Sequence, residues 1–140
     1  VQQRLAGPAG IRRWRCSTRA AGSILNMDSS ARGREAETLA WQYLQTRGLR
    51  LLQRNYRSRR GEIDLVLQDQ DSLVFVEVRY RRSKGFGGAL ASIDSGKQRR
   101  LIRAAQHYLA NRPWSGPCRF DVVGLQGDTR PAWIRDAFSA

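Results

Sequence analysis

The sequence predicts a single α/β domain in which helices pack against the faces of a mixed β-sheet. Three observations support this class. The chain has 140 residues, which suffice for one core and are too few for large multidomain machinery. Of these residues 41% are hydrophobic, which argues against a wholly disordered basic protein. The hydrophobic periodicities along the chain give the order helix, three strands, helix and two strands.

The first predicted helix begins at Ser29–Ser30 and runs to about Arg47, with Gly48 as its C-terminal stop. Its apolar residues recur at helical spacing and form one inward stripe, made of Ala36, Leu39, Ala40, Tyr43 and Leu44. A strand over 49–56 follows and leads into a basic link over 57–61.

The remaining predicted elements are two hairpin strands over 61–68 and 72–81, a helix from Ser95 to about Asn111, and strands over 120–125 and 132–138. The second helix directs another apolar stripe inward, made of Leu101, Ile102, Ala105, Tyr108 and Leu109. A glycine-rich loop over 85–88 precedes this helix and lacks the Lys-Ser/Thr of a phosphate-binding loop. We expect His107 on the surface and Asp121 in an ion pair.

The hairpin brings acidic residues together. Side chains alternate between the two faces of a strand, so Glu62 and Asp64 are predicted on one face and Ile63 and Leu65 on the other. If the hairpin is centred in its polar turn, paired residue numbers sum to 141. This register predicts two cross-strand pairs, Asp64 with Glu77 and Glu62 with Arg79.

Two like charges directly opposite each other destabilise a sheet by roughly 0.2–1 kcal/mol. The pair Asp64 and Glu77 therefore requires an interaction that offsets this repulsion. A divalent cation such as Mg²⁺ supplies one, because it binds one or two carboxylates together with waters and phosphate oxygens. Two alternatives remain open at this point. Arg79 and Arg81 could neutralise both acids in an ordinary ion-pair network, or a one-residue register slip could put the acids on opposite faces.

The charge of the chain favours polyanions as partners. It carries 25 Lys and Arg against 12 Asp and Glu, a net charge of +13. Residues 1–28 are predicted to be a basic, disordered tail, and 29–140 the folded domain. The first 26 residues hold five of the arginines and no acid, which indicates either sequence upstream of a natural start at Met27 or an organelle transit peptide. The domain is itself basic.

Basic residues of the domain cluster next to the carboxylates in the predicted topology, and we expect them to contact a phosphate backbone. They are Arg57, Arg59, Arg60, Arg81, Arg82, Lys84, Lys97, Arg99 and Arg100. No recognition helix or base-stacking motif is apparent, so shape or branch recognition is favoured over base reading. Two widely separated cysteines and the absence of any apolar run long enough to span a bilayer predict a cytoplasmic protein without membrane contact.

The motifs resemble a known family. Gly-Glu-Ile-Asp-Leu-Val at 61–66 and Val-Phe-Val-Glu-Val-Arg-Tyr-Arg at 74–81 resemble the hairpin of the PD-(D/E)XK nuclease superfamily. The fuller pattern, which adds blocks such as Arg-Asn-Tyr-Arg at 54–57 and Cys-Arg-Phe-Asp-Val-Val at 118–123, is similar to the YraN family of small bacterial proteins. The resemblance covers 33–138 and implies a restriction-endonuclease-like fold, akin to archaeal Holliday junction resolvases.

The resemblance also implies roles. Asp64 and Glu77 take the metal-binding positions and Arg79 that of the catalytic Lys, while Glu37 is similar to a helical Glu that completes the Mg²⁺ or Mn²⁺ site. Arginine keeps the positive charge but cannot act as a general base. Glu62 and Gln98 are accessory candidates. By analogy with resolvases, a homodimer is conceivable.

Three functions follow as hypotheses. The first is a metal-dependent endonuclease-like protein acting on DNA, including branched DNA, with DNA favoured over RNA. The second is a catalytically inactive nucleic-acid-binding module of the same fold. The third is a small basic scaffold protein that contacts another protein.

Overall fold

The computed structural model describes residues 29–81, 93–126 and 130–140. It contains α1 (Ser29–Thr46), β1 (Arg50–Ser58), β2 (Gly61–Asp69), β3 (Ser72–Arg81), α2 (Ser95–Asn111), β4 (Cys118–Gln126) and β5 (Ala132–Phe138). Every predicted helix and strand is present, with ends within two residues of those expected. The tail predicted over 1–28 and the glycine-rich loop over 85–88 lie outside the described residues.

One mixed sheet contains all five strands, in the spatial order β1-β2-β3-β4-β5. Neighbouring strands are antiparallel except for β3 and β4, which are parallel and are connected through α2. A helix is the usual connection between parallel neighbours, because the chain must return to the starting edge. The predicted α/β class is confirmed, and the arrangement is consistent with a restriction-endonuclease-like fold.

Helix α1 covers one face of the sheet. Its fully buried residues Ala40 and Leu44 share a hydrophobic cluster with sheet residues that include Leu65, Val74 and Val76. The predicted stripe is confirmed, although Leu39 and Tyr43 are only partly buried and Trp41 is buried in their place.

Helix α2 covers the opposite face. The Asp94 side chain caps its first turn by accepting a hydrogen bond from the backbone N–H of Lys97 at 2.8 Å. Tyr108 packs edge-on against Phe75, with ring centroids 5.8 Å apart. Leu101 joins both residues in a second cluster, so the sheet is buried on both faces, as the two predicted stripes require.

At one position in β1 and β2, the regular alternation of side chains between the two faces of the sheet is reversed, which is called here the pleat reversal. Ile63 lies in the cluster under α2 and Leu65 in the cluster under α1, although residues two apart in a strand normally share a face. Asp64 lies between them, and its partner position across the ladder is Asn55, whose φ is +52°. The left-handed conformation, which asparagine tolerates better than most residues, accounts for the reversal. The prediction that Ile63 and Leu65 share a face is therefore wrong.

A buried carboxylate joins β4 to β5. Asp121 is fully buried and accepts hydrogen bonds from Arg119 Nε at 2.9 Å, Trp133 Nε1 at 2.9 Å and the backbone N–H of Asp136 at 2.9 Å. Arg119 also binds Asp69 at 2.8 Å, which extends the network to β2. The expected ion pair of Asp121 is confirmed. Within the described residues, no helix has the length and hydropathy needed to cross a membrane.

Candidate metal centre

The ladder between β2 and β3 ends where the acidic residues lie. Its last pair is Leu65 with Val76, and all five pairs have the predicted register, which rules out a slip by one residue. Beyond this pair, Asp64 Oδ2 accepts a hydrogen bond from the backbone N–H of Val78 at 2.8 Å. A side-chain carboxylate therefore takes the place of a backbone acceptor and is held at the end of the hairpin.

Asp64 and Glu77 meet at this end, as predicted. The Glu77 side chain is only 6% exposed, and the two carboxyl groups are within hydrogen-bonding range of each other. Burial and then the negative charge of Asp64 raise the pKa of Glu77 from 4.5 to about 7. Burial also raises the pKa of Asp64, despite the hydrogen bond from Val78. In the metal-free protein the pKa of Glu77 therefore lies near neutral pH.

Glu37 approaches the pair from α1, as the resemblance implies. Its carboxylate lies near Asp64 and near the side chain of Asn55. Burial, followed by the charge of Asp64, raises the pKa of Glu37. Among the described residues no hydrogen-bond partner reaches its buried Oε1, and Arg54 Nη2 is 3.8 Å from that atom. One buried oxygen is therefore available to a ligand.

Asn55 is a site residue that the sequence reasoning did not identify. Its backbone reverses the pleat beside Asp64, and its side chain reaches Glu37. The available signal was an asparagine within a strand pattern, since asparagine is depleted in strands and tolerates φ > 0.

Two cations flank Glu77. Arg79 Nη1 lies 3.7 Å from Glu77 Oε2, and Lys97 Nζ lies 3.5 Å from the same oxygen. Both charges lower the pKa of Glu77, yet burial and Asp64 outweigh them and the pKa remains raised. The alternative of an ion-pair network with Arg79 and Arg81 stays open, because Arg79 pairs with Glu77 and the side chain of Arg81 lies outside the described residues. Lys97, predicted to contact nucleic acid, instead reaches the carboxylates.

The donor set fits a hard divalent cation. Within 29–81, 93–126 and 130–140, no group of three or more His, Cys, Asp or Glu side chains is placed so that it could hold a metal ion. Mg²⁺ does not need one, because one or two carboxylates with waters and phosphate oxygens suffice. Asp64 and Glu77 provide two adjoining carboxylates, whereas Glu37 Oε1 is ion-paired with Arg54 Nη2 and accepts no hydrogen bond from the described residues.

The two accessory candidates have contacts away from the carboxylate pair. Glu62 is exposed and lies opposite Arg57 in the β1–β2 ladder, with its Oε1 3.8 Å from Arg57 Nε. Neither of the two predicted cross-strand pairs, Glu62 with Arg79 and Asp64 with Glu77, is part of the β2–β3 ladder, which ends at Leu65 and Val76. Gln98 Nε2 donates to the carbonyl oxygen of Ile93 at 3.0 Å and so fixes the segment before α2.

The structure describes most of the residues that were predicted to contact nucleic acid. Four of these arginines are exposed, two in the β1–β2 turn and two in α2: Arg59, Arg60, Arg99 and Arg100. Arg57 is exposed beside Glu62. Arg82 and Lys84, and the side chain of Arg81, lie outside the described residues.

Comparison with known proteins places this site in a family. A sequence profile described as "Uncharacterised protein family UPF0102" matches residues 36–125. The chain belongs to the UPF0102 family. A UPF0102 protein of Nitrosococcus oceani is 57% identical over 112 residues, which cover 76% of this chain and 90% of that relative. Similar proteins occur in Alcanivorax borkumensis, at 53% identity with the same coverage, and in Colwellia psychrerythraea, at 47% over 83% of this chain and 95% of the relative.

The UPF0102 match confirms the resemblance to the small bacterial family. It also spans the whole candidate centre, from Glu37 in α1 to Lys97 in α2. Membership of the PD-(D/E)XK superfamily stays a prediction.

Proposed function

We propose that this UPF0102 protein is a divalent-metal-dependent, endonuclease-like protein that binds nucleic acid and hydrolyses phosphodiester bonds. DNA, including branched DNA, is the favoured substrate. The observation that carries the proposal is the meeting of the buried Glu77 carboxyl group with the half-buried Asp64 carboxyl group, both with raised pKa values, beside the half-buried cations Arg79 and Lys97. Strongly perturbed carboxyl groups concentrate at functional sites, since their repulsion costs stability that a purely structural role would not require.

Asp64 and Glu77 would hold Mg²⁺ or Mn²⁺, with Glu37 as a further oxygen donor. When bound, such an ion polarises the phosphodiester as a Lewis acid and activates the attacking water. The hydrogen bond from the backbone N–H of Val78 fixes the orientation of Asp64, so that this carboxylate needs little rearrangement to meet a ligand.

Arg79 and Lys97 would stabilise charge on the reacting phosphate. Hydrolysis forms a bond from water oxygen to phosphorus and breaks one phosphorus–oxygen ester bond, and one proton of the water ends on the leaving oxygen. Negative charge grows on the phosphate oxygens during this exchange, and two fixed cations beside Glu77 oppose it. Lys97 supplies an ammonium group at the site although position 79 is an arginine.

The test is cleavage by the purified full chain. Synthetic four-way junction, flap and duplex DNA are incubated with Mn²⁺, Mg²⁺ or EDTA. We expect cleavage that needs the metal and falls about 100-fold or more in Asp64→Asn and Glu77→Gln, the scale of losing one fixed stabilising group. Asp71→Asn is the control, because it removes an exposed carboxylate from the β2–β3 turn, at the opposite end of the hairpin from Asp64, and should leave the rate unchanged.

Cleavage that survives both substitutions at full rate would refute the assignment of the site. A calorimetric titration with Mn²⁺ separates metal binding from chemistry. The wild-type chain should bind the ion and both variants should not, and an absence of binding by the wild-type chain would remove the basis of the proposal.

One observation favours the inactive nucleic-acid-binding module instead. Arg79 cannot take a proton from water at neutral pH, unlike the Lys of the superfamily pattern. If this substitution silences the site, the wild-type chain binds DNA without cutting it, and Arg79→Lys should produce metal-dependent cleavage.

A further inference from the structure

A basic cleft lies beside α2, separate from the carboxylate pair. It has a volume of about 310 Å³ and is lined by Arg60, Arg103, Gln106 and His107. Each of these side chains can donate hydrogen bonds, and the two guanidinium groups present forked donors that match the oxygens of a phosphate. No acidic residue of the described chain lines the cleft. Its chemistry therefore fits an anion with several acceptor oxygens.

The two walls of the cleft are fixed relative to each other. Arg60 lies in the β1–β2 turn, where its backbone N–H donates to Ser58 Oγ at 3.1 Å. This turn packs directly on α2, since a Cβ atom at Gly61 would lie 2.7 Å from the carbonyl oxygen of Arg100. His107 in the other wall forms a hydrogen bond through Nδ1 with the hydroxyl of buried Tyr56.

The cleft is one end of a stripe along α2 that leads to the carboxylates. Lys97, Arg100, Arg103 and His107 follow one another at spacings of three, three and four residues, which places them on one side of the helix. Lys97 contacts Glu77 at the other end. The α2 sequence contains no Asp or Glu, so no acid within the helix interrupts the stripe.

The length of the stripe matches the spacing of phosphates along a nucleic-acid strand. At 1.5 Å per residue, Arg103 and His107 lie roughly 9–15 Å along the helix from Lys97. Phosphates of one DNA strand recur about every 3.4 Å along the duplex axis. A strand whose reacting phosphate lies at Glu77 would thus bring a second phosphate to the cleft about three or four nucleotides away.

We propose that the cleft of Arg60, Arg103, Gln106 and His107 binds a backbone phosphate of the nucleic acid, three or four nucleotides from the phosphodiester at the carboxylates. The inference rests on the proposed function and adds to it the residues that set the register of the strand. Phosphate contacts of this kind position a strand without reading its sequence.

The first test measures binding of a fluorescein-labelled 20-base-pair duplex by the full chain in EDTA, at several salt concentrations. We expect Arg60→Ala with Arg103→Ala to lower affinity about tenfold more than the control pair, and to reduce the salt slope by about one, the value for one phosphate. The control pair, Arg47→Ala with Arg50→Ala, removes the same charge beyond the other end of the sheet. Equal losses in the two double variants would overturn the proposal.

A second test needs no variant. His107 is the only histidine, so its imidazole gives a single reporter in NMR spectra of the untagged chain. Its signals should shift or broaden as the duplex is added in EDTA, and should stay in place if the cleft is not occupied.

The outcomes separate the two proposals. A fixed imidazole signal during saturating DNA binding, with metal-dependent cleavage intact, would overturn the cleft and leave the nuclease proposal standing. A wild-type chain that binds neither duplex nor junction would overturn both. A shifted signal with no cleavage in any metal would support the cleft and refute the hydrolysis.

Discussion

Glu77→Gln should stabilise the metal-free protein at high pH and leave its stability nearly unchanged at low pH. The pKa of Glu77 is raised from 4.5 to about 7, so the folded state keeps a proton that the unfolded state releases between these values. Stability therefore falls as pH rises from about 4.5 to 7 and is level above that range. A pKa difference of one corresponds to about 1.4 kcal/mol, which makes the loss about 3 kcal/mol for this residue. The variant lacks a carboxylate at this position and should not show the loss.

The assay is urea unfolding in EDTA at pH 5 and pH 8, followed by the fluorescence of the four tryptophans. The variant should gain about 2–3 kcal/mol relative to the wild-type chain between the two pH values, because part of the loss already falls below pH 5. Glu62→Gln, the exposed control, should differ from the wild-type chain by less than about 0.5 kcal/mol at both. If the wild-type and Glu77→Gln stabilities change in parallel with pH, Glu77 is not held as a repelled, buried acid and the reasoning fails.

Three further predictions concern the frame around the site. Asp121→Ala should lower the free energy of unfolding by about 3–5 kcal/mol, because it leaves the Arg119 charge without its buried partner; a loss below about 1 kcal/mol in urea unfolding would contradict this. Gly61→Ala should cost about 1–3 kcal/mol, because the new methyl group collides with the carbonyl oxygen of Arg100; an unchanged melting temperature would show that the turn can move. Asn55→Ala should cost about 1–2 kcal/mol more than Asn55→Gly by thermal unfolding, since only glycine adopts φ > 0 without strain, and equal stabilities would refute the left-handed assignment.

Much of the fold could be predicted because its signals are local. The apolar stripes of α1 and α2 and the polar turn between β2 and β3 fixed the order and ends of the elements. The hairpin register followed from the turn alone, and it correctly brought Asp64 to Glu77.

The features that were missed depend on single backbone conformations or on tertiary contacts. Strict alternation along β2 predicted one face for Ile63 and Leu65, and it failed because Asn55 in the neighbouring strand is left-handed. Lys97 follows Glu77 by twenty residues, and only the crossover through α2 brings its ammonium group to the carboxylate. The position of Glu37 could be proposed by resemblance. Only the structure shows that its Oε1 accepts no hydrogen bond from the described residues.

The pleat reversal at Asn55 and Asp64 makes the hairpin part of both hydrophobic clusters. On one side of the reversal Ile63 depends on the α2 layer, and on the other Leu65 depends on the α1 layer. The position of the Asp64 side chain therefore depends on the packing of both layers. Loosening of either layer should displace the same carboxylate.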